Sequence, residues 1–208
     1  MQIPNFTFPE ASGVDLDDML NLFSLPLRNH SRRVAICASI MAGYAQEFLQ
    51  ARYINVDPAF AATVHLGATC HDLGKLMLPA LIVDKADYMR HPAAGGELLE
   101  LIKTDFSNEI QAQTVSDIVR YHHERPDGKG FPYGLSGRDI PPAAGICAMA
   151  DWLDHRLYPM TEAKNGIVLL REVRDLTGTL FCESTAICLV RAWTQIMEQY
   201  EKWGREER

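Results

Sequence analysis

Apolar periodicity constrains this chain more than any other feature. Between His30 and Phe48, the residues Val34, Cys37, Met41, Tyr44 and Phe48 recur at spacings of three and four, which places them along one face of a helix. Comparable patterns return over 59–76, 93–103, 108–123, 142–156, 161–176 and 184–203. No strand-like alternation extends beyond a few positions. The expected fold is therefore all-α: one compact helical domain over 21–203, a lead-in over 1–20 and a frayed, charged tail over 204–208. Asp15, Asp17 and Asp18 suit the first turn of a helix, where the macrodipole favours acids. Loops are expected at 55–58, at Pro79 and, most conspicuously, over 125–142, where four glycines gather.

Apolar residues make up 47% of 208 positions, enough for a real core. No apolar run approaches the roughly 18 residues of a membrane span. The first residues lack the basic and apolar regions of a signal peptide, so a cytoplasmic protein with no membrane contact is expected. Five cysteines, scattered and without a CxxC pair, argue against a zinc knuckle or a disulfide framework. A net charge of −7 gives no basic footprint for duplex nucleic acid. An acidic chain can still hold a phosphate ligand if positive charge is concentrated locally, as by a bound metal.

Two stretches break the apolar pattern with chemistry. HDLGK, from His71 to Lys75, sets a histidine, an acid and a lysine at helical spacings of three and four among Leu, Ala and Val. It reads either as a buried ion pair beside a core histidine or as part of an ion site. HHERPDGKGFP, from His122 to Pro132, pairs two histidines where a helix has to end. These could be surface residues interacting with the helix dipole, or neighbouring ligands. His30 opens a helix, His91 precedes Pro92, and Asp151 and Asp154 share a face of an alanine-rich helix. Imidazole and carboxylate without thiolate suit Fe, Mn or Zn.

The order His30, His71–Asp72, Asp151 resembles the H…HD…D signature of the HD superfamily of metal-dependent phosphohydrolases. His91, His122–His123 and the stretch DGKGFPYGLSGRDIP resemble its HD-GYP subgroup, and the similarity runs from His30 to Tyr158. The resemblance implies a cyclic di-GMP phosphodiesterase of cyclic-dinucleotide signalling, with two divalent ions and a metal-bound hydroxide as nucleophile. It implies that His30, His71, Asp72 and Asp151 hold one ion, and that Asp72 bridges to a second held by His91, His122 and His123. Lys75 would bind a phosphate oxygen or a metal-bound water, stabilising charge in the transition state. Asp127, Gly130, Phe131 and Arg156 would line the substrate.

The chain departs from that pattern in three places. Gly130-Phe131-Pro132 replaces Gly-Tyr-Pro, keeping a ring for stacking and losing a phenol. Pro26 stands where some members carry a glutamate for a third metal, which favours two. After Asp154 the chain reads HRLYPM rather than a basic RPYR-like segment. Two other readings therefore stand beside the first: an HD-type phosphohydrolase of another nucleotide, and a catalytically weak nucleotide-sensing domain that acts by binding a partner. No receiver or other sensory domain fits this length, so regulation is expected from a separate protein. His65 is expected as a core or surface histidine rather than a ligand, His155 at the surface, Trp152, Trp193 and Trp203 in the core or an interface, and Arg32 and Arg33 in solvated salt bridges.

Overall fold

The computed structural model describes residues 15–51, 59–78, 84–102, 105–158 and 166–206. Residues 1–14 of the expected lead-in, the expected loops at 55–58 and Pro79, residue 103, the stretch 161–165 and the tail residues 207–208 lie outside them. Among the described residues the fold is all-α: α1 (Leu16–Asn21), α2 (Leu25–Ala51), α3 (Phe60–Cys70), α4 (Lys85–Met89), α5 (His91–Leu101), α6 (Glu109–Tyr121), α7 (Pro142–Leu157), α8 (Gly166–Leu176) and α9 (Glu183–Glu206). Short 3-10 helices occupy Leu73–Met77 and Gly137–Asp139. None of these helices is long and apolar enough to cross a membrane.

Local chemistry explains several boundaries. Asp15 caps α1 reciprocally with Asp18, its carboxylate accepting the Asp18 amide at 2.9 Å. α5 starts at His91 with Pro92 in its first turn, where a missing amide hydrogen is harmless. α9 continues through 204–206, the start of the tail expected to fray.

The most consequential correction falls on 59–76, expected as one helix. α3 stops at Cys70, and the chain tightens into a 3-10 turn from Leu73. Apolar spacing at Leu73 and Leu76 fits either conformation, so periodicity could not distinguish them. The turn docks on the start of α5 so closely that a Cβ on Gly74 would lie 2.5 Å from the Gly95 nitrogen. Only glycine permits that approach. The break sets His71 and Asp72 at the end of α3 rather than along its face.

Burial divides between two clusters. The larger packs α2, α3 and α7 against α8 and α9 around Met41, Met149, Leu153, Leu189 and Ile196, with Tyr200 also enclosed. The smaller gathers Met19, Leu73, Leu98, Val115 and Val119 from α1, the 3-10 turn, α5 and α6. Four cysteines are buried free thiols and Cys182 is half-buried, so they act as small apolar groups.

Candidate metal centre

Five separate segments bring imidazoles and carboxylates to one place. α2 supplies His30, the break after α3 supplies His71 and Asp72, and α5 supplies His91 from its first residue. His122 and His123 follow the last turn of α6, and Asp151 comes from α7. His71, Asp72, His91 and His122 are almost wholly buried.

Asp72 is the pivot. Its Oδ2 lies 3.4 Å from His71 Nε2 and 4.0 Å from His30 Nε2, while its Oδ1 lies 3.3 Å from His91 Nε2. His30 Nε2 is also 3.1 Å from Asp151 Oδ1, and His91 Nε2 is 3.2 Å from His122 Nε2. Donor atoms bound to one ion at roughly 2.0–2.2 Å stand about 3.0–3.4 Å apart, so most of these spacings suit shared ligation. One carboxylate thus faces two groups of imidazoles, one oxygen to each.

The tautomers can be read from the backbone. His71 Nδ1–H donates to the Ala68 carbonyl at 2.7 Å, His91 Nδ1–H to Tyr88 at 2.7 Å, and His122 Nδ1–H to Ile118 at 3.0 Å. A neutral imidazole that donates from Nδ1 has its lone pair on Nε2. The His91 and His122 lone pairs therefore face each other, and His71 Nε2 is buried with no hydrogen-bond partner among the described residues. Facing lone pairs and an orphaned buried acceptor are unfavourable unless a cation lies among them. The donor set fits a divalent ion.

Electrostatics agree. Burial, with neighbouring imidazoles, lowers His91 to about 4 and pushes His122 well below the usual range; burial lowers His123 to about 3. These rings are neutral and free to ligate at physiological pH. Burial opposes charge on Asp72, but His71, Lys75 and His91 hold it well below the usual carboxylate range. Burial also opposes charge on His30, and Asp151 and Asp154 overcome it to raise the ring to about 9.

The surrounding contacts hold these groups in place. Asp154, 2% exposed, accepts from His30 Nδ1 at 2.7 Å, from Arg33 Nε at 2.7 Å and Nη2 at 2.9 Å, and from Tyr200 Oη at 2.7 Å. Arg33 is not in a solvated salt bridge, as the sequence suggested. It is buried, paired with Asp154, with its guanidinium 3.5 Å from the centroid of the Tyr158 ring. Glu124, also buried, accepts the Tyr133 and Leu135 amides at 2.7 and 2.9 Å and folds the glycine-rich loop over the histidines. A Cβ on Gly130 would lie 2.5 Å from Glu124 Cα, so the loop lies flat there.

The remaining expected site residues divide. Lys75 Nζ donates to Asp72 Oδ2 at 2.6 Å, at the edge of the centre. Phe131 stacks on His123 with centroids 4.6 Å apart. Asp127 is engaged within the loop by Arg125 at 2.6 and 3.0 Å, and Arg156 pairs with Glu172 on α8. His65 is exposed; His155 is exposed too, yet its Nε2 is 3.4 Å from Asp151. The three tryptophans pack against the larger core. Glu124 was findable as an acid inside a glycine-rich motif, whereas nothing in the sequence links Tyr200 to Asp154.

A helical frame brings histidines and aspartates from five segments into one cluster that could hold metal ions, and comparison with known proteins identifies the family. The HD domain model matches residues 27–156, and the chain belongs to that family. It is 27% identical over 168 residues to a cyclic di-GMP phosphodiesterase of Thermotoga maritima, covering 76% of this chain and 44% of that protein. It is 32% identical over 159 residues to the cyclic di-GMP phosphodiesterase response regulator RpfG of Xanthomonas campestris, covering 71% and 41%. A 3'3'-cGAMP-specific phosphodiesterase 2 of Vibrio cholerae is 34% identical over 93 residues, 40% of this chain and 17% of that protein. The chain spans less than half the length of each of these relatives.

Proposed function

We propose that this chain is a metal-dependent phosphodiesterase of the HD-GYP type that hydrolyses a cyclic dinucleotide, with cyclic di-GMP the first candidate. The observation that carries the reading is the division of Asp72, one oxygen toward His30 and His71 and the other toward His91. Relatives named for cyclic di-GMP and 3'3'-cGAMP hydrolysis support the substrate class. His30, His71, Asp72 and Asp151 would hold one ion, and Asp72, His91, His122 and His123 a second, with Fe or Mn favoured and Zn admissible. Divalent ions bound there supply Lewis-acid charge for phosphoester hydrolysis and a nucleophile at neutral pH.

The chain's own residues do the rest. Backbone carbonyls at Ala68, Tyr88 and Ile118 fix three rings with Nε2 inward. Asp154 aims His30 through Nδ1, strengthening the ring as a donor. Lys75 places a cation beside Asp72, where it can meet negative phosphoryl oxygens. Phe131, already against His123, offers a face on which a base can stack.

The engagement of Asp127 by Arg125 and of Arg156 by Glu172 favours a second reading, in which the same chemistry serves another nucleotide. Both are tested by anaerobic purification, reconstitution with Fe or Mn, and turnover of a panel of cyclic di- and mononucleotides. Linear dinucleotide or mononucleotide products from cyclic di-GMP support the first reading, and selective turnover of another nucleotide supports the second. Metal-loaded protein that turns over none of them refutes both.

A further inference from the structure

A cavity of about 170 Å³, apolar over most of its lining, opens where α1, α2 and α3 meet, and none of the proposed metal ligands lines it. One water requires roughly 10–15 Å³ on this measure, so the space admits a larger group. Arg28, Ser31 and Arg32 line it from α2, at i, i+3 and i+4 on one helix face. His65 and Thr69 face them from α3, and Leu20 and Phe23 add an apolar wall.

Three features of this lining call for an anion. Two guanidiniums stand one helical turn apart, an arrangement that is repulsive alone, and among the described residues no carboxylate lines the cavity. Arg28 is held in place because its Nη2 donates to the Asn21 carbonyl at 2.8 Å, and Arg32 is exposed without a hydrogen-bond or ion-pair partner among the described residues. Ser31 is 2% exposed, and its hydroxyl has no hydrogen-bond partner among the described residues. A serine inside a helix ordinarily donates to the carbonyl one turn back, and an unsatisfied buried hydroxyl is unfavourable. Thr69 has given its hydrogen to the His65 carbonyl at 2.9 Å and retains an acceptor oxygen.

We propose that this cavity binds a phosphate group, carried by inorganic phosphate or by a nucleoside monophosphate. The guanidinium forks match phosphate oxygens, the Ser31 hydroxyl supplies a further donor, and Thr69 accepts from a protonated phosphate oxygen. The site is independent of the proposed reaction, although Ser31 directly follows His30 and Thr69 lies two residues before His71.

Inorganic phosphate is titrated into the full chain while amide resonances are followed by NMR, before and after loading with diamagnetic zinc. The expected result is saturable movement of Arg28, Ser31, Arg32, His65 and Thr69 in both states, absent with chloride at equal ionic strength. Arg32→Gln, at an exposed position, should weaken binding about tenfold or more through loss of a charge-assisted contact. Ser31→Ala should also weaken binding without lowering the Tm, because a methyl replaces an unsatisfied hydroxyl. A nucleoside monophosphate that binds more tightly and also moves Leu20 and Phe23 identifies a nucleotide as the source; equal or weaker binding identifies free phosphate. Shifts confined to the metal-loaded state and to residues around His91 and His122, non-saturating shifts, or unchanged affinity in both variants would overturn the proposal.

Discussion

Replacing Asp154 with asparagine is the sharpest test of how the centre is held together. The side chain is 2% exposed and accepts four hydrogen bonds, two of them from a guanidinium whose own side chain is 8% exposed. Asparagine is nearly isosteric but uncharged, and its amide nitrogen cannot accept. Arg33 would then keep its charge in a buried site without a counter-ion, a loss on the order of 3–5 kcal/mol. Asparagine retains one acceptor oxygen, which places the expected cost near the lower bound, about 3 kcal/mol. With a urea dependence of roughly 1–3 kcal/mol per molar, the unfolding midpoint of the metal-free chain should fall by about 1–3 M. His30 loses the anionic partner of its Nδ1 in the same substitution, so metal affinity should fall about 10–100-fold. Urea titration by far-UV circular dichroism and competitive chelator titration report the two effects separately. A midpoint shift under about 0.3 M with unchanged metal affinity would refute the claim that Asp154 neutralises Arg33 and orients His30.

Other substitutions probe different joints. Asp72→Asn should lose at least one ion per chain and abolish hydrolysis while far-UV dichroism stays helical, because an amide cannot bridge two cations; unchanged metal with lowered Tm would assign Asp72 to a simple pair with Lys75. Lys75→Met should retain metal by elemental analysis and lose roughly 10²–10³ in turnover, as removal of one transition-state charge stabiliser does. Gly74→Ala places a methyl against the backbone of α5, 2.5 Å from the Gly95 nitrogen, and should destabilise by about 1–3 kcal/mol or more while displacing His91; thermal melting with metal analysis checks it. In the metal-free chain His30 is raised from 6.5 to about 9, so its contribution to stability is complete below 6.5 and lost as pH rises through about 9, and it should be absent from His30→Gln in a pH series of urea midpoints.

What the sequence made legible was whatever repeats or stands out. The three-and-four apolar rhythm disclosed an all-α chain, and the resemblance to the HD-GYP pattern, more than spacing, named the seven residues that converge. The end of α3 was not legible, because Leu73 and Leu76 suit an α-helix as well as a 3-10 turn, and the deciding contact is Gly74 against α5. Arg33 looked like an ordinary surface arginine because its carboxylate partner lies 121 residues away. Tyr200 was hidden for the same reason: a tyrosine in an amphipathic helix gives no sign that its hydroxyl reaches a buried acid. Asp127 and Arg156 were placed by motif alone, and nearby partners of opposite charge, Arg125 and Glu172, engage both.

The contact of Tyr200 with Asp154 also bears on the order of events during synthesis. His30 is made before its partners: Asp154 follows 124 residues later, and Tyr200 a further 46 after that. A nascent chain stopped short of α9 has the imidazole and the acid but lacks the phenol and the amphipathic helix that enclose them. At roughly 5–20 residues per second, the stretch from Asp154 to Tyr200 takes a few seconds to make. During that interval the half of the centre built on His30 lacks its α9 wall, so full enclosure of His30 and Asp154 waits on the synthesis of Tyr200.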